Sequence, residues 1–243
     1  MTIFLLAGLI FLLAGLIQGL TGFGGGLVAI PLLCLIMDVK IAVPLSILSG
    51  LVITTTMAYE LRSLLEWRKI LPLLIGSIPG VFVGTVLLKQ ADPVVINRIL
   101  GLLLIGISGL NLTMKPKPIN PPVLWGYVAG FFSGTITASV GAGGPPAIIY
   151  TTLNDWKKDE IKATLTGFFV LNGYVTAIVH AFGGVITRSV LDYFVFTLVF
   201  VMLGTFAGSR ISGRINRRTY LRIVYLLLMV LGIVMMVKHS PLG

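Results

Sequence analysis

The sequence predicts an all-α protein that crosses a membrane several times and consists of two related halves. Of its 243 residues, 56% are hydrophobic and only 11% are charged, whereas soluble domains carry about 25% charged residues. The mean hydropathy is +1.03, and apolar segments long enough to span a bilayer, about 20 residues as a helix, recur along the whole chain. Glycine-rich motifs occur in the same order in both halves.

Eight apolar segments follow one another along the chain. They cover residues 3–37, 41–60, 70–88, 94–113, 123–153, 161–182, 189–209 and 219–237. The clearest interruption is "KPKPINPP" at 115–122, where four prolines and two lysines prevent a helix from continuing. We therefore divide the chain into a first transmembrane repeat (1–114), a Pro-rich linker (115–122) and a second transmembrane repeat (123–243).

Internal repeats support this division. "GLIQG" at 15–19 is similar to "GFFSG" at 130–134, a separation of 115 residues, and a glycine-rich stretch follows each of them. Further on, a pair of glycines four residues apart recurs at a separation of 124 residues, as Gly80 and Gly84 and again as Gly204 and Gly208. Agreement in this order favours duplication over chance similarity among the 29 glycines.

The first and fifth apolar segments are too long for one straight crossing. Residues 3–37 as a single helix would measure about 52 Å, whereas the hydrocarbon core is about 30 Å thick. The consecutive glycines at 22–26 and 141–146 predict where the helices break. Each broken segment is then either one interrupted span or a hairpin that returns the chain to its original side.

The distribution of basic residues favours hairpins. With single crossings the two sides of the membrane receive 7 and 11 of the 18 lysines and arginines, whereas with hairpins they receive 5 and 13. The positive-inside rule favours the more uneven distribution, with both termini outside and the linker inside. Three spans then follow each hairpin, so that the halves are inverted repeats as in many secondary transporters, in which one repeat moves against the other.

Helix breaks at membrane depth are also candidate binding sites. They survive only where protein or a water-filled cavity surrounds them, and the helix that starts after the break presents free N–H groups and the positive end of its dipole to an anion. Hydroxyl and amide side chains near the breaks can add donors, although Ser and Thr also bond back to helix carbonyls. The candidate substrate-binding residues are Gln18, Thr21, Gly24, Gly25, Gly26, Thr135, Thr137, Ser139, Gly141, Gly143, Gly144 and Pro145.

His180 lies in the apolar stretch "TAIVHAF" and is a candidate for proton coupling, because histidine titrates near physiological pH. The alternative interpretation is a buried histidine that serves packing alone.

Two motifs carry a family resemblance. "GLTGFGGGLVAIP" at 19–31 and "ASVGAGGPPAIIY" at 138–150 resemble the paired signature of the TauE/SafE family of membrane transporters, often called sulfite exporters. The resemblance covers essentially the whole chain, including the glycine pairs in "PGVFVG" and "LGTFAG". It implies movement of small sulfur-containing anions such as sulfite, thiosulfate or sulfonates.

We therefore expect a secondary transporter or exporter of small anions in the cell (inner or plasma) membrane, with the substrate bound between the two glycine-rich breaks. A passive anion channel and a carrier for a non-sulfur organic anion are the alternatives. An enzyme is not expected, because two histidines, one cysteine and eight acids mostly in loops offer no convergent catalytic set.

The expected partners are a small anionic substrate, membrane lipid, a coupling proton or sodium ion, and a second copy of the chain in a homodimer. We expect no cofactor and no metal site. The net charge of +10 comes from residues in the short connections between spans, which is typical of the positive-inside bias, so that nucleic acid is not an expected partner.

Overall fold

The computed structural model describes residues 2–21, 24–113, 118–211 and 217–237. These ranges form α-helices joined by short connections, and they contain no β-strand, which confirms the all-α prediction. The helices are α1 (Thr2–Thr21), α2 (Gly25–Ile36), α3 (Val39–Glu60), α4 (Trp67–Gln90), α5 (Pro93–Thr113), α6 (Leu124–Val140), α7 (Gly144–Leu153), α8 (Lys158–Phe182), α9 (Arg188–Ile211) and α10 (Arg217–Val237), with a single 3-10 turn at Arg62–Leu64.

Six of these helices are long and apolar enough to cross a membrane by length and composition, namely α1, α3, α4, α5, α8 and α9. Large apolar side chains cover their outer surfaces; Phe82, Val195 and Met202, for example, are all more than half exposed. Exposed apolar surface of this extent is suited to lipid, which confirms the prediction of a multi-pass membrane protein.

Both overlong apolar segments break at the glycine-rich motifs and fold back as helical hairpins. A Cβ placed on Gly25, at the start of α2, would lie 3.0 Å from the carbonyl oxygen of Ala14 in α1. In the second half the Ala147 N–H of α7 donates to Oγ of Ser133 in α6 at 3.0 Å. With 12 and 10 residues, α2 and α7 are only about 18 and 15 Å long, too short to cross a bilayer. Each hairpin is followed by three long helices.

Glycine residues bring helix backbones into direct contact between α4 and α6 and between α1 and α9. A Cβ on Gly80 of α4 would collide with the carbonyl oxygen of Phe131 in α6, and a Cβ on Gly204 of α9 would collide with that of Leu12 in α1. Small residues four apart commonly allow transmembrane helices to approach this closely. These are the two most extensively packed helix pairs among the described residues.

The glycine contacts define a register between the halves that differs in one helix from the sequence prediction. Gly80 contacts Phe131 as Gly204 contacts Leu12, and Gly84 contacts Thr135 as Gly208 contacts Leu16. The separation of 124 residues for the later glycine pair is consistent with these contacts. For α1 and α6 they give 119 residues instead of 115, so that Gly15 corresponds to Gly134. A shift of four residues is about one helical turn and keeps the glycines on the same face of the helix. The spacing of the glycines therefore does not distinguish an alignment at 115 residues from one at 119 residues.

The next most extensive helix contacts follow the same correspondence. The pair α4–α8 corresponds to α9–α3, and the hairpin α1–α2 corresponds to α6–α7, while α5–α10 and α3–α8 each join a helix directly to its counterpart. The best-packed pairs thus combine one helix from each half.

Of the predicted linker, residues 115–117 lie outside the described residues, and the N–H groups of Ile119 and Asn120 both donate to the carbonyl oxygen of Leu153, at 2.9 and 3.0 Å.

The basic residues are concentrated at one end of the helix bundle. Nζ of Lys69, in the first turn of α4, lies 2.8 Å from carboxylate oxygens of both Glu66 and Glu160, so that the starts of α4 and α8 lie together. At the opposite end, Nζ of Lys40 donates to the carbonyl oxygen of Lys89 at 3.1 Å. We call the first of these the basic end; its described basic residues include Arg62, Arg68, Lys69, Lys157, Lys162 and Arg210.

We predict that Gly80→Ala destabilises the protein by about 1–3 kcal/mol, because the added methyl group overpacks the contact with Phe131. Thermal unfolding of the detergent-solubilised protein should show the loss as a lower Tm. Gly106→Ala in α5 is the matched control, since a Cβ there has nothing within 4 Å, and replacing a helical glycine by alanine otherwise favours the helix by about 1 kcal/mol. Equal Tm values for the two variants would contradict the packing described.

Candidate functional site

A polar cavity of about 120 Å³ lies in the middle of the bundle, where the two helix breaks meet. A Cβ on Gly26 would lie 3.1 Å from the carbonyl oxygen of Gly141, so that the breaks of the two halves touch. The volume equals about four water molecules at ~30 Å³ each. Both hairpins line this central cavity together with α3 and α8, through residues that include Gln18, Gly24, Gly26, Ser46, Gly50, Thr54, Thr137, Gly141, Gly143, Gly144, Phe169, Asn172 and Gly173.

The first break presents a helix N-terminus to the cavity. Gly24 has φ 92° and ψ −3°, a left-handed conformation that glycine adopts without steric cost, and α2 begins at the next residue. The first N–H groups of a helix have no acceptor in the preceding turn, so those of the two cavity-lining residues Gly26 and Leu27 are available to a ligand. The positive end of the α2 dipole lies at the same point.

The second break offers fewer donors than the first. Gly141 has φ 67° and ends α6, with its N–H donating to the carbonyl oxygen of Thr137 at 2.9 Å. In the first turn of α7, Pro145 and Pro146 have no N–H, and the N–H of Ala147 already donates to Oγ of Ser133. Gly144 is therefore the main backbone donor of the α7 first turn, and the two breaks are chemically unequal.

Three buried polar side chains that the sequence analysis had not selected line the central cavity, namely Ser46, Thr54 and Asn172. The hydroxyl group of Thr54 donates to the carbonyl oxygen of Gly50 at 2.9 Å, whereas the other two side chains each have an atom that is unpartnered in the described part of the chain. Asn172 of α8 is 1% exposed; its Nδ2 donates to Oγ1 of Thr137 at 3.1 Å, and its Oδ1 has no hydrogen-bond partner within the described ranges. Ser46 of α3 is 6% exposed, and its Oγ is likewise unpartnered there. Buried polar atoms are normally hydrogen-bonded, so these atoms are available to a ligand or to water in the cavity.

A weak sequence signal accompanies these residues. "LSILSG" at 45–50 and "FFVLNG" at 168–173 are similar at a separation of 123 residues. Each segment ends in a glycine, Gly50 or Gly173, that lines the cavity. A comparison of α3 with α8 therefore identifies the helix face that contains the cavity, although it does not single out Ser46 or Asn172.

The structure brings seven of the predicted binding residues to the central cavity, namely Gln18, Gly24, Gly26, Thr137, Gly141, Gly143 and Gly144. Gly25 is buried directly behind them, where a Cβ would collide with Oε1 of Gln18. Thr21 is the last residue of α1, and its side chain lies outside the described residues.

The other three predicted binding residues do not line the central cavity. The hydroxyl groups of Thr135 and Ser139 donate to the carbonyl oxygens of Phe131 and Thr135, at 2.9 and 2.7 Å. This is the back-bonding to the preceding helical turn that the sequence left open as an alternative. Pro145 lines a separate apolar groove of about 780 Å³ between α5, α6 and α7.

His180 lies away from the central cavity and is fully buried. Its Nε2 is 3.1 Å from the carbonyl oxygen of Ala138. A carbonyl oxygen only accepts, so Nε2 is the protonated nitrogen in this contact, and Nδ1 has no partner among the residues described. A role in proton coupling remains a prediction.

Neutral groups alone surround the cavity. Its lining contains no Asp, Glu, Lys or Arg, and the described residues hold no cluster of three or more His, Cys, Asp or Glu that could bind a metal ion. A ligand in the cavity can therefore interact with backbone N–H groups, with the N-terminal ends of α2 and α7, with amide or hydroxyl side chains and with apolar side chains such as Ile148 and Phe169.

The bundle of membrane-length helices, with two helical hairpins around an internal cavity, defines a multi-pass membrane protein. The family model described as "Sulfite exporter TauE/SafE" matches residues 7–235, and the chain belongs to this family. The probable sulfite/organosulfonate exporter TauE of Cupriavidus necator is 26% identical over 173 residues, which cover 69% of this chain and 67% of that protein. No solved structure matched the chain.

Family membership and the six apolar helices place the protein in the cell membrane as a transporter. The resemblance noted from the paired glycine motifs is thereby confirmed, and the family is a class of transporters, not of enzymes.

We predict that Ser133→Ala destabilises the protein by about 1–3 kcal/mol, because it leaves the buried N–H of Ala147 without an acceptor. A lower Tm in detergent would report this loss. Ser63→Ala is the control, since Ser63 lies exposed in the connection between α3 and α4 and its hydroxyl is replaced at no such cost. A Tm for Ser133→Ala equal to that of the control would show that this hydrogen bond does not hold the second hairpin.

Proposed function

We propose that the protein is a secondary transporter that exports a small sulfur-containing oxyanion, sulfite or an organosulfonate, and that it binds this anion in the central cavity. The observation that carries the proposal is the meeting of two helix breaks around a cavity lined by neutral donors. Similarity to the probable sulfite/organosulfonate exporter of Cupriavidus necator supports the choice of substrate.

Electrostatics favour an anion over a cation in this cavity. An oxyanion accepts hydrogen bonds from the N–H groups at the start of α2, and the helix dipole adds to the attraction. The lining contains no carboxylate to repel it. The donors are fixed by the fold, so they can replace the water that an anion loses when it enters the membrane interior.

The unequal breaks suggest an orientation for the bound anion. The α2 side supplies the N–H groups of Gly26 and Leu27, whereas the α7 side supplies mainly that of Gly144. Ile148 of α7 and Phe169 of α8 also lie against the cavity. We expect the charged sulfur group to lie at α2 and any organic substituent to lie at α7.

We infer that the two halves are inverted repeats and that the basic end is cytoplasmic. Stacking of Phe4 on Tyr193, with ring centroids 4.1 Å apart, puts the start of α1 beside the start of α9, at the end opposite the basic end. A Cβ on Gly126 near the start of α6 would lie 3.0 Å from Pro72 in the second turn of α4, so α6 starts at the basic end. Opposite starting points for corresponding hairpins support inversion, and the positive-inside rule supports the orientation.

Transport by proteoliposomes tests the function directly. Efflux of sulfite should saturate with concentration, and external unlabelled sulfite should drive counter-flow of labelled sulfite. Flux that rises linearly with concentration and shows no counter-flow would identify a passive channel instead. Saturable transport of carboxylates but not of sulfur oxyanions would contradict the proposed substrate class.

We predict that Gly144→Val lowers sulfite transport at least about tenfold, the effect of about 1.4 kcal/mol, with little change in Tm. A Cβ on Gly144 would meet Ile148 and Phe169 at 3.5 and 3.6 Å, ordinary contact distances, so the added side chain fits the fold but takes space from the ligand. Gly106→Val adds the same volume outside the cavity and should transport normally. Unimpaired transport by Gly144→Val would place the anion elsewhere.

We predict that Asn172→Asp weakens sulfite binding by about tenfold or more, since two like charges about 4 Å apart repel by roughly 1–4 kcal/mol at effective dielectric constants of 80 to 20. Equilibrium binding to the purified protein measures the effect. Thr137→Val is the matched control, because it removes the Asn172–Thr137 hydrogen bond without adding charge. Equal losses in the two variants would mean that charge in this cavity does not govern binding.

A further inference from the structure

A second cavity opens at the basic end of the bundle, between α1, α3 and α9. Its volume is about 300 Å³, and its lining includes Gly19, Thr56, Met57, Glu60, Lys162 and Ser209. We call it the basic-end vestibule. Thr56, Glu60, Lys162 and Ser209 are exposed, so the vestibule is open to the surroundings of the protein at the basic end. Its other side includes Met202 and Phe206, which belong to the exposed apolar surface of α9.

The vestibule adjoins the central cavity along two helices. In α1, Gln18 lines the central cavity and the next residue, Gly19, lines the vestibule. In α3, Thr54 lines the central cavity, whereas Ile53 and Met57 line the vestibule. The two cavities therefore lie against different faces of the same two helices, α1 and α3, because consecutive residues of a helix point about 100° apart.

The register between the halves identifies the counterpart of the vestibule, between α6, α8 and α4. The separations are 119 residues for α1 and α6, 123 for α3 and α8, and 124 for α4 and α9. They relate Gly19 to Ala138, Thr56 to Val179, Met57 to His180, Glu60 to Gly183 and Ser209 to Thr85.

This counterpart is closed where the vestibule is open. Thr85 is 4% exposed, whereas its counterpart Ser209 is exposed. Val179 is half-buried, whereas its counterpart Thr56 is exposed. His180 is fully buried and its counterpart Met57 is 7% exposed, so the difference lies in the residues nearer the ends of the helices. The hydrogen bond from Nε2 of His180 to the Ala138 carbonyl oxygen joins α8 to the end of α6. A Cβ on Gly183 would lie 3.4 Å from Cγ2 of Thr85, so α4 and α8 are also in contact there.

We propose that the basic-end vestibule is the route by which the substrate reaches the central cavity from the basic end, and that the region around His180 is the equivalent route from the opposite end, closed in this conformation. Since the halves share one packing pattern, the opposite state is one in which the His180 region opens and the vestibule closes. This proposal depends on the proposed function in one respect, namely that the substrate binds in the central cavity.

Cysteine labelling tests the difference in access without any substrate. Cys34 is the one cysteine of the sequence and is buried, so Cys34→Ala provides the background. Single cysteines then go into two corresponding pairs, Ser209→Cys with Thr85→Cys and Thr56→Cys with Val179→Cys. The reagent is a membrane-impermeant maleimide that carries a quaternary ammonium group and no sulfonate, and the Tm of each variant confirms that it is folded.

We expect Ser209→Cys to react at least about tenfold faster than Thr85→Cys, because labelling of a buried thiol requires local opening. Thr56→Cys should also react faster than Val179→Cys, by a smaller factor, because Val179 is half-buried. Equal rates within each pair, or faster labelling of Thr85→Cys and Val179→Cys, would overturn the proposal.

A second measurement tests whether the vestibule leads to the binding site. After excess reagent is removed, the maleimide adduct on Ser209→Cys should slow sulfite binding at least about tenfold, and reagent-treated Thr85→Cys should bind like the Cys34→Ala background. Unchanged binding by the Ser209 adduct would overturn the vestibule as a route. If the background itself binds no sulfite, the proposed function fails, whereas the labelling contrast still decides between an open and a closed route.

Discussion

Direct contact between helix backbones holds this structure together. Within lipid there is little hydrophobic gain in bringing helices together, so close van der Waals packing must supply the attraction. The glycines of α1, α4, α6 and α9 allow that packing over several turns, with carbonyl oxygens of one helix occupying the space where the other helix has no side chain. Because α1 and α6 also contain the first arms of the hairpins, the same contacts fix where the two helix breaks meet.

The arrangement of these contacts bears on how the protein moves. Each tight pair, α1 with α9 and α4 with α6, contains one helix from each half. Movement of one half as a body against the other would break both pairs, and closely packed interfaces do not deform continuously. The packing therefore favours a different division, in which each glycine pair moves as a unit, over the movement of one repeat against the other that the duplicated sequence suggests.

Much of this arrangement follows from the sequence because its causes are local. A segment too long for the bilayer must break, consecutive glycines locate the break, and three further apolar segments follow in each half. The shortage of backbone donors at the start of α7 also follows from the sequence, because Pro145 and Pro146 have no N–H group. That Ser133 accepts from Ala147 depends on how tightly the hairpin closes, and the sequence alone does not specify that distance.

The features that the sequence did not predict depend on how each helix is rotated about its axis and on which groups lie next to each side chain in the folded protein. The register of α1 with α6 was wrong by one turn because a glycine stripe looks the same after a shift of four residues. Asn172 and Ser46 resemble many other polar residues in membrane helices until a cavity is found beside them. Thr135 and Ser139 were predicted to bind the substrate, but their hydroxyl groups donate to carbonyl oxygens of their own helix. The sequence does not distinguish such a hydroxyl group from one that faces a cavity near a helix break.

The pairing of α1 with α9 also has a consequence for how the chain is made. The first helix is complete at Thr21, and its partner begins only at Arg188. At synthesis rates of about 5–20 residues per second, roughly ten to thirty seconds separate the two. During that time the glycine face of α1 is not yet covered by α9, so it must lie against lipid or a helper protein. Final assembly of this transporter is therefore an event that follows insertion of nearly the whole chain.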